Sequence, residues 1–247
     1  MGSLFEKWKK GLKKKVHPFC TAIVPAAGKS SRMGGEDKMF APLCGVPVLA
    51  RTLTVLDQAV LVDEIVVAAQ PEKLEEVAAL VSSAGIRKPV RGVGGGASRA
   101  ESVLLAALEA NEDVEYLAVH DGARPLVLPE QVDDLIRLGQ RTYAVAPAVP
   151  VTDTVKVADL SGLVLSTPDR STLFAVQTPQ VFQANLLKAA LQSAIAAEAP
   201  LTDDCSAVER LGKEVYLTPG WRENIKITTP EDLSVAELFL RRREVQA

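Results

Sequence analysis

Short apolar runs alternate with longer amphipathic stretches along most of this chain. Thr21-Ala22-Ile23-Val24 is apolar almost without interruption and predicts a buried strand. Val48 to Gln58 repeats apolar residues at helical spacing, and Glu64-Ile65-Val66-Val67-Ala68 predicts a second strand. Glu72 to Ala84 predicts a helix closed by Gly85. Lys88-Pro89-Val90-Arg91 predicts a short strand, followed by a glycine-rich loop and a helix from about Arg99 to Ala110. Tyr116 to His120 predicts another strand, and Pro129 to Leu138 a helix that ends before Gly139. Apolar strands alternating with helices predict an α/β fold, a mainly parallel sheet with helices on both faces.

The pattern changes after Val149. Thr152 to Val157 alternates polar and apolar residues, Asp159 to Gly162 suits a turn, and Leu163-Val164-Leu165 returns. This predicts a β-hairpin arm over about residues 150–172, projecting from the core because it carries too few apolar side chains to bury itself. Helices are then expected at Ala184 to Ala197 and Asp203 to Leu211, and strands at Val215 to Leu217 and Asn224 to Ile227. A last helix starts at Thr229-Pro230, with threonine as N-cap and proline at the first helical position.

Composition narrows the class. With 247 residues, 47% of them hydrophobic, the chain has enough apolar mass for one full α/β core. Aromatics make up only 4%, which favours close helix-on-sheet packing over an aromatic binding surface. The formal charge of -3 argues against a nucleic-acid partner. Charge is uneven, however. Residues 1–15 carry six lysines against Glu6, a net +5 that leaves -8 for the remainder. Leu4, Phe5, Trp8 and Leu12 recur there at helical spacing, which would suit an anionic surface. A short charged terminus is nevertheless expected to be solvated, so residues 1–18 are expected to form a disordered basic extension to a domain spanning 19–247. No apolar run is long enough for a membrane span, and Val16-His17-Pro18 interrupts any signal-peptide core. Three cysteines without C-x-x-C spacing suit a reducing cytoplasm, and two histidines are too few for a zinc site.

Three strand-to-helix loops carry candidate chemistry. Pro25-Ala26-Ala27-Gly28 opens a stretch of small residues containing Arg32 and Lys38. Small residues let the backbone approach a ligand, its N–H groups can cradle phosphate oxygens, and two cations add charge. The spacing matches neither the P-loop nor the dinucleotide fingerprint. His120-Asp121-Gly122-Ala123-Arg124-Pro125 puts a carboxylate at a strand end, where it suits Mg²⁺ or a turn equally well. Gly92 to Ser102 contains four glycines before a helix, with Ser98 suited to cap it and Ser102 offering a free hydroxyl in its first turn. His120 is expected to make a structural hydrogen bond.

These segments, followed in order by Thr178-Pro179-Gln180, Thr202-Asp203-Asp204 and Asn224-Ile225-Lys226-Ile227-Thr228, are similar to the 2-C-methyl-D-erythritol 4-phosphate cytidylyltransferases. Those enzymes belong to the non-mevalonate isoprenoid pathway. The resemblance runs from about Cys20 to Arg243. It implies a Rossmann-like nucleotidyltransferase fold and transfer of CMP from CTP to methylerythritol phosphate, with Mg²⁺ and release of pyrophosphate. Arg32, Lys38 and Lys226 would be catalytic. Pro25, Ala26, Ala27, Gly28, Gly94, Gly95, Ser102 and Asp121 would bind nucleotide, Asp121 also as the magnesium ligand. Arg124, Thr154, Arg170 and Asp203 would bind the polyol phosphate. The arm would hold a homodimer together and present Thr154 and Arg170 to the neighbouring subunit's substrate. Two positions depart from the family pattern: Ala97 stands where an acid is frequent, and Met39, expected to pack, where glutamine is frequent. A ribitol 5-phosphate cytidylyltransferase and a catalytically silent nucleotide-binding regulator are the competing readings.

Overall fold

The computed structural model describes residues 17–28 and 37–246. All of the expected basic extension except residues 17 and 18 lies outside the described residues. The chain begins with β1 (Cys20–Pro25), then a minimal hairpin of β2 (Pro42–Leu43) and β3 (Val46–Pro47), then α1 (Val48–Gln58). Next come β4 (Glu64–Ala69), α2 (Leu74–Ser83) entered through one 3₁₀ turn, β5 (Val90–Gly94) and α3 (Arg99–Leu108). β6 (Tyr116–Val119), α4 (Pro129–Thr142) and β7 (Ala144–Pro150) lead to the arm, whose strands are β8 (Val157–Ala158) and β9 (Val164–Ser166). The chain returns through β10 (Phe174–Val176), β11 (Gln180–Gln183), α5 (Ala184–Ala196), α6 (Asp204–Arg210), β12 (Tyr216–Pro219) and α7 (Pro230–Gln246).

Eight strands form the central sheet, in the order β10-β7-β11-β6-β1-β4-β5 with β12 paired to β7. β5, β4, β1 and β6 run parallel, as does the β7–β12 pair, whereas β11 is antiparallel to both β6 and β7 and β10 is antiparallel to β7. Alternation along each strand sends neighbouring side chains to opposite faces. Ala22 and Val24 join Leu49, Leu53, Leu135 and Ile136 on the α1/α4 side, while Ile23 joins Val103, Ala107, Leu187 and Leu191 on the α3/α5 side. The result is a three-layer sandwich in which the parallel strands are covered twice.

Several expectations need correction. α4 does not stop before Gly139 but continues to Thr142, ending at Tyr143 in the left-handed region (φ 64). The glycine serves packing: a Cβ there would lie 2.6 Å from Val181 Cγ1, so its absence lets the helix approach β11. Asn224 to Ile227 is not a strand. Its backbone partners are loop groups: the Ile227 N–H donates to the Ala123 carbonyl (2.8 Å), and the Asn224 carbonyl accepts from Arg124 Nη1 (2.6 Å). β5 lies two to three residues later than expected and includes Gly92 and Gly94. The arm's first paired strand is shorter than predicted, at two residues, while the second keeps its predicted three and lies one residue later.

Candidate active site

β1 sits where the strand order reverses, with β4 on one side and β6 on the other, and its carboxyl end opens onto a cleft of ≈ 760 Å³. The loops that leave β1, β4, β5 and β6 supply most of its wall. Of the residues singled out in the sequence, Pro25, Ala27, Gly28, Lys38, Gly95, Ser102, Asp121 and Lys226 line it together. Ala26 is buried beside them and donates its N–H to the Ala68 carbonyl (2.7 Å), and Gly94 ends β5. Arg32 lies outside the described residues.

Local structure explains the placement of Lys38. The Asp37 carbonyl accepts from Phe40 and Ala41 (3.0 Å each), and its side chain accepts from the Met39 N–H (3.0 Å). Met39 is buried in the core, as expected of an apolar residue there, and the Leu49 N–H ties it to α1 (2.9 Å to the Met39 carbonyl). Anchored one residue away, Lys38 faces the cleft.

The glycine-rich loop is held tightly. The Gly95 N–H donates to the Ala69 carbonyl (2.7 Å), and a Cβ on Gly95 would lie 2.4 Å from Ala27 Cβ. Only glycine lets these two loops touch. Ser98 caps α3 as expected, its hydroxyl accepting from the Glu101 N–H. Ser102, by contrast, does not have a free hydroxyl. Its Oγ accepts from the Gly96 N–H (3.1 Å) and donates to the Ser98 carbonyl (2.8 Å), because a serine in the first turn can reach the carbonyl four residues back. Ala97, where the family often has an acid, donates its N–H to Glu101 Oε2 (2.7 Å), so a carboxylate from the next turn folds back to this loop.

Asp121 is the electrostatic centre. Lys226 Nζ lies 2.8 Å from its Oδ2, Arg99 Nη2 3.3 Å from its Oδ1, and Arg124 Nε 3.6 Å from its Oδ2. Burial pushes the carboxyl upward, but Arg99, Lys226 and Arg124 outweigh it and hold Asp121 well below the usual carboxylate range. Behind it, the Asp121 N–H donates to Thr178 Oγ1 (3.1 Å), which bonds His120 Nδ1 (3.0 Å). His120 Nε2 meets the Arg124 carbonyl (3.0 Å). Both ring nitrogens are thus engaged; burial of the ring outweighs these bonds, lowers its pKa to about 4 and keeps it neutral. The expected structural role of His120 fits this geometry. Asn224, also buried, donates Nδ2 to the Thr178 carbonyl (2.8 Å), and its own carbonyl holds Arg124. The Lys226 segment is thereby fastened to the same framework.

Other predicted residues lie apart from the cleft wall. Arg124 contacts Asp121 from behind. Asp203 caps α6, accepting from the Ser206 N–H (2.9 Å) and from Gln180 Nε2 (2.9 Å), and borders a second hollow of ≈ 330 Å³. Thr154 and Arg170 are exposed on the arm, with Arg170 Nη1 donating to the Thr152 carbonyl (2.6 Å). Sequence reasoning missed Arg99 and Asp204 as site residues. Arg99 Nη1 lies 2.8 Å from the buried Asp204 Oδ2, so the guanidinium bridges two carboxylates. The local sequence signal is weak, because the partners are 105 residues apart.

A divalent cation can be tested against this donor set. Among the described residues no group of three or more His, Cys, Asp or Glu side chains could hold a metal. One ionised carboxylate lining the cleft fits Mg²⁺, which takes one or two carboxylates and completes its shell with water and substrate phosphates.

Comparison with known proteins agrees with this geometry. The family model described as IspD, 2-C-methyl-D-erythritol 4-phosphate cytidylyltransferase, matches residues 20–242. The enzyme of that name from Caldanaerobacter subterraneus subsp. tengcongensis is 42% identical over 224 residues, covering 90% of this chain and 99% of its own. The one from Symbiobacterium thermophilum is 45% identical over 221 residues, 89% of this chain and 92% of its own. Among solved structures, the 4-diphosphocytidyl-2C-methyl-D-erythritol synthase of Anaerococcus prevotii superposes with a TM-score of 0.80 at 29% identity, covering 90% of this chain and 98% of that one. The Thermus thermophilus 2-C-methyl-D-erythritol 4-phosphate cytidylyltransferase gives 0.72 at 30% identity, covering 90% and 99%. With the match running through nearly all of the chain, this protein belongs to the IspD family of 2-C-methyl-D-erythritol 4-phosphate cytidylyltransferases.

Proposed function

We propose that this chain is a cytidylyltransferase that transfers CMP from CTP to 2-C-methyl-D-erythritol 4-phosphate. The products are 4-diphosphocytidyl-2-C-methyl-D-erythritol and pyrophosphate, an isoprenoid precursor step. The observation that carries the reading is Asp121, held ionised among three cations at the carboxyl pole of the sheet, in a chain that matches the family along its length.

The chemistry needs no general base. An acceptor phosphate monoester is already an oxyanion near neutral pH; one of its oxygens forms the new bond to the α-phosphorus of CTP as the bond to the bridging oxygen breaks and pyrophosphate leaves. His120, neutral and bonded at both nitrogens, is not needed as a base. The barrier is repulsion between two anions, so catalysis rests on positioning and charge neutralisation. Lys38, Lys226 and Arg32 are assigned that role at the α-phosphate, and the small residues Pro25 to Gly28 with Gly94, Gly95 and Ser102 are assigned the nucleotide. Asp121 would hold Mg²⁺, which supplies charge neutralisation on the phosphates. Arg124 and Asp203, with Thr154 and Arg170 of a neighbouring subunit, are assigned to the acceptor.

A homodimer built on the arm is supported by its surface. Residues 152–176 are exposed almost throughout, and Leu160, Leu163, Val164, Leu165 and Phe174 show large apolar areas to solvent. We assign the protein to the cytoplasm, supported by three free cysteines. No described helix is long and apolar enough to cross a membrane.

The decisive experiment offers the purified chain CTP, Mg²⁺ and a panel of acceptors, with pyrophosphate release as readout. Turnover is expected with methylerythritol phosphate and CTP. Preference for ribitol 5-phosphate would reassign the substrate, and no turnover with any acceptor would leave a silent nucleotide-binding protein.

A further inference from the structure

Asp204 stands outside the cleft yet is wired into it. It is 1% exposed at the first residue of α6, and its Oδ2 lies 2.8 Å from Arg99 Nη1. The other face of the same guanidinium reaches Asp121 Oδ1 (3.3 Å). Asp204 Oδ1 is buried without a hydrogen-bond partner, an arrangement that costs stability and so asks for a role at this position. The position is also held rigidly. Asp203 caps α6 and accepts from Gln180 Nε2, while Gln180 Oε1 accepts from the Cys205 N–H (3.2 Å). Gln180 follows Thr178, which holds the Asp121 backbone, so Asp121, Arg99, α6 and the start of β11 form a closed ring of contacts.

Charge shows what the ring does. Arg99, Arg124 and Lys226 face Asp121 and Asp204, three cations against two carboxylates, a net +1. Without the Asp204 charge the cluster would stand at +2, and Arg99 would have Asp121 as its only carboxylate within salt-bridge distance among the described residues. A guanidinium committed to Asp121 competes with any metal for that oxygen, and excess positive charge repels a divalent cation. We propose that Asp204 is a positioning residue for the reaction: by sharing Arg99 it leaves Asp121 available to the divalent cation carried on the nucleotide's phosphates. This rests on the cytidylyltransferase reading above.

The test compares the wild-type chain with Asp204→Asn, which keeps the shape and removes the charge. Pyrophosphate release is titrated with Mg²⁺ at saturating CTP and acceptor, and CTP binding is measured by calorimetry in EDTA. The Mg²⁺ midpoint is expected to rise about 10–100-fold, the usual loss when an outer partner of a metal ligand is removed. Metal-free CTP affinity is expected to stay the same or tighten, because the cleft becomes more positive. A merely structural role would not move these two readouts apart. An unchanged Mg²⁺ midpoint overturns the proposal, whatever happens to kcat, and so does a tenfold weaker metal-free CTP affinity. If the single variant does not fold, Arg99→Met/Asp204→Asn decides: a midpoint within about threefold of wild type supports the shared-charge account, and one raised further than that refutes it. A wild type without CTP turnover would sink the activity reading and this inference with it; an active wild type matched by Asp204→Asn sinks the inference alone.

Discussion

Gly95→Ala probes whether the glycine-rich loop shapes the nucleotide site. Carbon atoms in contact sit about 3.5–4.0 Å apart, whereas the added methyl would be 2.4 Å from Ala27 Cβ, a shortfall of at least about 1.1 Å. It would also crowd Ser102 Oγ at 3.1 Å. Ser102 cannot simply turn away, since its hydroxyl holds both the Gly96 N–H and the Ser98 carbonyl. Nor can Gly95 lift off without losing its 2.7 Å bond to the Ala69 carbonyl. The β1 and β5 loops must therefore part by roughly an ångström, and a misplacement of about 1 Å can cost about 10² in rate. We expect kcat/KM for CTP to fall about a hundredfold, equivalent to about 2.7 kcal/mol of transition-state stabilisation. The assay is continuous pyrophosphate release over a CTP series, with urea unfolding as a control. A kcat/KM within about threefold of wild type, in a variant of unchanged urea midpoint, would falsify the claim that contact between these loops builds the pocket.

Other outcomes follow from the same framework. Lys38→Ala and Lys226→Ala should each lower turnover about 10²–10³-fold, the effect of losing one preorganised donor, while circular dichroism stays native; undiminished pyrophosphate release by either removes it from the mechanism. Arg170→Ala should raise the acceptor KM or lower kcat with little change in CTP affinity, and wild-type kinetics would take the arm out of the site. His120 supplies a pH signature. Its folded pKa of about 4 lies below the ordinary 6.5, so the unfolded chain protonates first; the neutral ring's contribution is complete above pH 6.5 and is lost as pH falls towards 4. Between pH 7 and pH 5 the wild type should therefore lose about 2 kcal/mol more stability than His120→Asn, measured by urea unfolding at both pH values, and parallel losses would contradict a buried neutral imidazole.

Much of this architecture is legible in the chain itself, for identifiable reasons. β1 and β4 are buried on both faces and so are written as apolar runs interrupted only by Thr21 and Glu64, which bond to each other, and α1 begins and ends where its apolar spacing does. β7 is harder to read because Pro147 and Pro150 argue against a strand, yet the Pro147 carbonyl is used, accepting from the Gln177 N–H (2.7 Å). β10 and β11 are only three and four residues long, so no periodicity can emerge. In the site, the strand-end loops announce themselves through small residues and cations. The Arg99–Asp204 bridge does not, since an ion pair between helix starts on different loops leaves no local pattern. Ser102 misled for a related reason: a hydroxyl in a first helical turn looks available until the loop before it is seen to fold back.

One consequence of the sheet's mixed direction reaches beyond packing. In a wholly parallel sheet, each strand delivers only its final residues to the reactive pole. Because β11 runs against β6, its opening residues arrive beside the closing residues of β6, and Thr178 comes within hydrogen-bonding range of His120 and Asp121. Reversing a single strand thus adds one more segment of polypeptide to the rim of the cleft, and braces Asp121 from one side while it still lines that cleft.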